Sequence, residues 1–209
     1  MQFTSGSTSA PRGVAITWRN LELQVEINRA HGRCTQDSVG VVWLPQYHDF
    51  GLVSSFLCGL LTPFGTWFCS PLDFLKRPAC WPEMMHRARA THTAGPNFGY
   101  ALVTRKTTAE ERARWDLSSL QCCTWGAEVI QHDTVRGFCE AFAQSGLSPE
   151  AMISGWGLAE HTVAAAAAPT TFARFDGAAL GEAGVLLPAA EGAAGSVELA
   201  CAGAPPRLS

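Results

Sequence analysis

Val39-Gly40-Val41-Val42-Trp43-Leu44, followed by Pro45-Gln46-Tyr47-His48-Asp49, is the stretch from which the fold is read. A continuous apolar run of this length suits a strand covered on both faces, the condition of a parallel sheet. Pro45 ends the run, since it brings no backbone N–H to a ladder. Gln46 to Asp49 then form a polar loop beyond the strand's carboxyl end, where open α/β sheets bind their ligands.

Upstream stands Phe3-Thr4-Ser5-Gly6-Ser7-Thr8-Ser9-Ala10-Pro11-Arg12-Gly13, dense in Gly, Ser and Thr. Small hydroxylated residues leave backbone N–H groups uncovered, and Gly6 and Gly13 permit φ > 0, so the loop can curl around an anion. Arg12 adds a charge that bonds phosphate oxygens bidentately. No Walker A pattern aligns on it. A solvated Ser/Thr-rich linker is the plain alternative.

The 209 residues suffice for one sizeable domain, and 47% hydrophobic with 16% charged residues is a globular composition. Net charge is −3 with Arg and Lys scattered, which argues against a nucleic-acid footprint. No run approaches the roughly 18 apolar residues of a spanning helix, and no signal-peptide layout opens the chain. Eight cysteines show no Cys-x-x-Cys pair and no zinc-finger His spacing. Reduced core thiols and a cytoplasmic location follow.

Downstream, Gly155-Trp156-Gly157-Leu158-Ala159-Glu160 completes a series. With the two stretches above, in this order, it resembles the adenylate-forming enzymes that activate carboxylates with ATP. Ser7-Thr8-Ser9 after Gly6, Gln46-Tyr47-His48-Asp49 and Gly95-Pro96-Asn97-Phe98 look like one branch, the fatty acyl-AMP ligases. The resemblance runs from residue 1 to about 162 and more thinly to the end.

The rest of the chain agrees with an α/β reading. Gly13 to Ile16 reads as a short buried strand, and Thr17 as N-cap of a helix from about Arg19 to Ala30. Leu21, Leu23, Val25 and Ile27 alternate as in a strand; helix-forming neighbours, the length and the resemblance favour a helix. A buried helix is expected from Gly51 to Leu61, then a strand at Thr66–Cys69. Further strands are expected at Thr91–Ala94, Gln121–Trp125 and Ala151–Ser154. Helices are expected over 81–89, Phe98–Lys106, Ala109–Arg114, Asp133–Gln144 and from near Leu158. The alternation predicts an α/β fold, a mostly parallel sheet with helices on both faces. From Val163 the chain turns Ala- and Gly-rich. Residues 1–162 are expected to form an ATP- and acyl-binding core, and 163–209 an irregular segment. That segment is either the insertion marking acyl-AMP ligases or a low-complexity tail, with a short strand at Val197–Cys201.

What the resemblance implies for the site is specific. Thr4, Ser5, Gly6, Ser7, Thr8 and Arg12 would grip the ATP phosphates, with Arg12 where relatives carry Lys. Gly126, Ala127, Glu128, Trp156 and Gly157 would form the adenine slot, Trp156 replacing the usual Tyr. Trp125 and Val129 stand where relatives carry Asn and Pro. Glu160 matches the Mg2+ ligand, and a hard cation bridging phosphates is held by one or two carboxylates. His48 matches the histidine beside the acyl carboxylate, assigned with Arg12 to catalysis by positioning and charge. Asp49, Pro96, Asn97 and Phe98 would meet the acyl group. His92, His132 and His161 are expected to be structural.

The implied reaction joins a fatty acid and MgATP to acyl-AMP with release of pyrophosphate. Transfer to the phosphopantetheine thiol of an acyl carrier protein follows, in lipid, polyketide or lipopeptide assembly. The ribose-binding Asp and C-terminal catalytic Lys of full-length members have no counterpart: the chain has only Lys76 and Lys106. It is therefore expected to be a partial N-terminal domain. An acyl-CoA ligase fragment and a non-catalytic nucleotide-binding remnant are the alternatives.

Overall fold

The computed structural model describes residues 1–4 and 10–203. The Ser/Thr-rich loop springs from a small antiparallel pair, β1 (Gln2–Phe3) and β2 (Gly13–Val14). The strand expected at Gly13–Ile16 is thus short and lies at the surface, not in the core. Thr17 caps α1 (Trp18–Gly32) through a capping box closed by Asn20, so local chemistry overrides the alternation of Leu21 to Ile27.

The apolar run forms β3 (Val39–Val42). After it, α2 (Asp49–Gly51) runs through a π-helical stretch, Leu52–Leu57, into α3 (Cys58–Leu60). The helix expected here exists, but it is widened at its centre and buries only one side. Next come β4 (Gly65–Phe68), α4 (Pro71–Lys76), α5 (Cys80–Ala88), β5 (His92–Gly95), α6 (Asn97–Lys106) and α7 (Ala109–Arg112). Then follow β6 (Cys122–Trp125), α8 (His132–Phe142), β7 (Met152–Gly157) and β8 (Ala164–Pro169). The six-stranded sheet has the order β4-β3-β5-β6-β7-β8, parallel throughout except for antiparallel β8 at its edge.

Two expectations fail near the C-terminal end. No helix opens at Leu158; a single 3-10 turn, Ala159–His161, is stopped by Thr162 at φ 71°. The alanine run is the strand β8, because pairing with β7 outweighs the helix preference of alanine. Beyond it, β9 (Thr171–Asp176), α9 (Gly177–Ala183) and β10 (Ser196–Cys201) give the segment regular structure. β9 and β10 pair antiparallel, and the pair docks on α8. There His132 Nδ1 meets Glu198 Oε2 at 3.0 Å, the His132 ring faces Phe172, and Arg174 holds the other Glu198 oxygen.

One face of the sheet packs on α4, α5, α6 and α8. Its core is aromatic: Trp43 stacks on Phe74 at 3.9 Å and Tyr100 on Trp125 at 3.6 Å. Trp81 and Phe138 pack edge-on against these pairs. Trp81 Nε1 donates to Thr93 Oγ1 and the Tyr100 hydroxyl to the Thr124 carbonyl, whereas Trp43 Nε1 is buried without a partner among the described residues. The other face is covered by α1 and the 49–60 helix. There buried Gln24, its amide nitrogen turned inward, donates to His161 O (2.9 Å) and Ala164 O (3.2 Å), tying α1 to β8. Among the described residues no helix is long and apolar enough to cross a membrane.

Candidate active site

Between α1, the 49–60 helix and the sheet lies a cavity of about 940 Å³. Its mouth is at the carboxyl ends of the strands, as the sheet topology demands. Thr4, Arg12, His48, Asp49, Gly126, Ala127, Trp156, Gly157 and Glu160 all line it. Residues far apart in sequence thus converge on one space. Ser5, Gly6, Ser7 and Thr8 lie outside the described residues.

The loop's neck is closed by reciprocal bonds: Thr4 N donates to Arg12 O, and Arg12 N donates to Thr4 Oγ1, both at 3.0 Å. The backbone therefore fixes where Arg12 leaves the strand pair.

His48 caps the helix that begins at Asp49. Its Nδ1 lies 3.2 Å from Phe50 N and 2.8 Å from Asp49 Oδ1. These contacts are alternatives: neutral Nδ1 accepts from the Phe50 N–H, and protonated Nδ1–H donates to Asp49. The hydrogen bond to Asp49 raises the His48 pKa against the opposing effect of burial.

β7 breaks register between Trp156 and Gly157. A side chain at 157 would stand 1.6 Å from Val163 O, so only glycine allows this bulge. The bulge leaves the Trp156 indole 60% exposed over the cavity mouth. Opposite, Gly126 runs so close to β7 that a Cβ there would stand 3.0 Å from Gly155 O. Ala127 follows at φ 67°, a left-handed turn that points the chain away from the sheet. Bare backbone on one side and an indole face on the other make a slot that fits a flat heteroaromatic ring.

Glu160 lies exposed on the turn after Trp156, and among the described residues no hydrogen bond or ion pair engages its carboxylate. Among the same residues no group of three His, Cys, Asp or Glu stands ready to hold a metal. Glu160 therefore suits an ion whose other ligands are phosphate oxygens and water.

Four expected site residues are not on the cavity wall. Asn97 is buried, its Oδ1 accepting from Gln131 N and its Nδ2 donating to Thr134 Oγ1. Pro96 precedes it as the α6 N-cap, and Phe98 lies edge-on to Trp43. Glu128 accepts the Phe98 N–H, which fastens the turn after β6 to the start of α6. His92 Nε2 bonds Gly32 O and its Nδ1 meets Thr91 Oγ1, each at 2.7 Å. Burial lowers its pKa, so it stays neutral.

Sequence reasoning missed the wall itself. Gly40 and Val42 of β3, Ala94 of β5, Thr124 of β6 and Ala166 of β8 share the cavity face. Asn28 and His31 of α1 and Ser54 and Ser55 of the π-helical stretch face them. The alternation of small residues with Val41, Trp125 and their like was the available signal.

Comparison with known proteins agrees with this geometry. A family model described as AMP-binding enzyme matches residues 1–193. The chain belongs to that family. It is 39% identical over 163 residues to a medium-chain-fatty-acid–[acyl-carrier-protein] ligase of Moorena producens. That alignment covers 78% of this chain and 28% of the relative. A fatty acid AMP ligase from Legionella pneumophila superposes with a TM-score of 0.91 at 27% identity, covering 98% of this chain and 36% of that one. A fatty acyl-adenylate ligase from L. pneumophila, solved with acyl adenylate and pyrophosphate, gives 0.88 at the same identity and coverage. The chain thus spans a little over a quarter of the length of the curated relatives it matches.

Proposed function

We propose that the protein of which this chain forms the nucleotide- and acyl-binding part activates a fatty acid with ATP. The products are acyl-AMP and pyrophosphate, and the acyl group then passes to the phosphopantetheine thiol of an acyl carrier protein. Lipid, polyketide or lipopeptide assembly is the setting for such a reaction. The observation that carries the reading is one continuous cavity. It joins Arg12, His48, Trp156 and Glu160 at the strand ends to a channel of small residues along the sheet.

In the chemical step a carboxylate oxygen attacks the α-phosphorus, the bond to the β-phosphate oxygen breaks, and pyrophosphate leaves with its electron pair. No proton moves, so no general base is required. Rate comes from positioning and charge neutralisation. Thr4, Ser5, Gly6, Ser7 and Thr8 cradle the phosphates, and Arg12 supplies charge beside them. Gly126, Ala127 and Gly157 receive the adenine, with Trp156 stacking on its face. His48, whose pKa Asp49 raises, faces the acyl carboxylate as a positioning and charge-stabilising group. Pro96, Asn97, Phe98 and Glu128 position the turn after β6 from behind the wall. Glu160 would hold a Mg2+ ion, which would supply positive charge to offset that of the phosphates. The eight free thiols fit a reducing cytoplasm.

The test is Glu160→Ala in the native protein, with MgATP affinity read by calorimetry and pyrophosphate release read alongside. Affinity should fall more than tenfold, about 1.4 kcal/mol. Affinity within about threefold of wild type, under roughly 1 kcal/mol, would refute the metal assignment.

A further inference from the structure

We propose that the rings of Phe64 and His92 form the floor of the acyl channel and restrict the substrate to fatty acids of medium length. The proposal rests on the acyl-activating reading above.

The cavity has chemically distinct ends. Arg12 and His48 stand at the carboxyl ends of the strands. At the amino ends stand His92, which opens β5, Cys122, which opens β6, and Phe64, which precedes β4. Cys34 and Cys58 also border this deep end. Burial pushes their thiols up to about 12 and about 11, so they are neutral at any physiological pH. A carboxylate therefore settles at the Arg12 end and a hydrocarbon tail at the thiol end.

The floor itself is fixed. Both His92 nitrogens are engaged, to Gly32 O and Thr91 Oγ1, so the ring has no polar atom to offer a ligand. The Phe64 ring lies nearly parallel to it, at 21° with centroids 6.3 Å apart. A side chain at Gly32 would meet Cys34 Sγ at 2.9 Å and the His92 ring at 3.4 Å, so thiol and ring border the same spot.

Depth follows from strand geometry. Gly126 at the mouth and Cys122 at the deep end are four residues apart on β6 and the turn that ends it. At about 3.3 Å per residue that is a channel of ~13 Å. An extended chain advances roughly 1.2 Å per bond, a third of the extended residue length, so ~13 Å holds about eleven bonds. Fatty acids of about ten to twelve carbons fit.

The test titrates saturated fatty acids of about eight to sixteen carbons into the full chain by calorimetry, with affinity expected to rise about fourfold per methylene until the floor is met. Wild type should show its break near about eleven carbons. Phe64→Ala should move the break to longer acids, and Cys34→Phe should move it to shorter ones. Circular dichroism verifies that each variant is folded, and either one alone decides the question. A break that stays put in a folded variant, with wild type binding normally, overturns the floor and leaves the ligase reading standing. If wild type binds no fatty acid of any length, the acyl-activating reading falls and takes the floor with it.

Discussion

On β6, Cys123 and Trp125 are buried in an aromatic layer, whereas Cys122 and Thr124, each one residue away, line open space. The same division runs along β3, where Val41 packs and Gly40 and Val42 do not. One face of the sheet is filled by Trp125 and by the Trp, Tyr and Phe of the helices packed on it; the other carries Gly, Ala, Thr and Val and leaves about 940 Å³. Parallel strands covered on both sides need helices on each, but they do not need equal packing. The filled face holds the strands in register, and the sparse face offers volume to a ligand.

The sharpest way to break this comparison is to hollow the filled face. Trp125→Ala removes an indole that is fully buried, stacked on Tyr100 and donating from Nε1 to Met152 Sδ. Equilibrium urea denaturation should show a loss of about 3–5 kcal/mol. A loss below about 1 kcal/mol would mean that the aromatic layer does not support the sheet.

A finer contrast uses neighbours on one strand. Val41→Ala, at 0% exposure, should cost about 2 kcal/mol, since two methyls leave a space that nothing refills. Val42→Ala, at 5% exposure but on the cavity wall, should cost about 1 kcal/mol, because one side of that residue already lacks partners. Equal losses in the same urea titration would erase the distinction between the faces.

What could be read beforehand follows the same line. β3, β6 and β7 were legible because each is a short, largely apolar run ended by Pro, Gly or a polar turn, and β5 because an amphipathic helix leads into it. Arg12, Trp156 and Glu160 were expected at one site from the resemblance of their motifs, and His48 also from its place beyond the carboxyl end of β3. The alanine run was not, since its strand pairing with β7 is a tertiary fact that its own propensity opposes. Asn97 and Glu128 were misplaced because their polar atoms are committed to Gln131, Thr134 and Phe98, partners that sequence spacing does not reveal. Phe64 and Cys34 gave no signal either, lying on separate loops that only the folded sheet brings to one end of the channel.

The smallest effect tests whether the mouth of the sparse face carries charge by design of its loop. Asp49 raises the His48 pKa, so the folded state favours the imidazolium. The sign is that of a raised basic group: the stabilisation is fully present below the ordinary value of about 6.5 and is lost as pH rises through the raised folded value. With the His48 side chain 48% exposed, solvent screening keeps the stability term under about 1 kcal/mol. The helix cap survives deprotonation, because neutral Nδ1 then accepts the Phe50 N–H. Hence pH should alter the charge at the mouth while barely altering the fold. In Asp49→Asn the His48 ring proton, followed by NMR, should titrate at lower pH than in wild type, with thermal stability nearly unchanged. An unmoved midpoint would show that Asp49 does not set this charge, leaving Arg12 and Glu160 as the groups that charge the mouth.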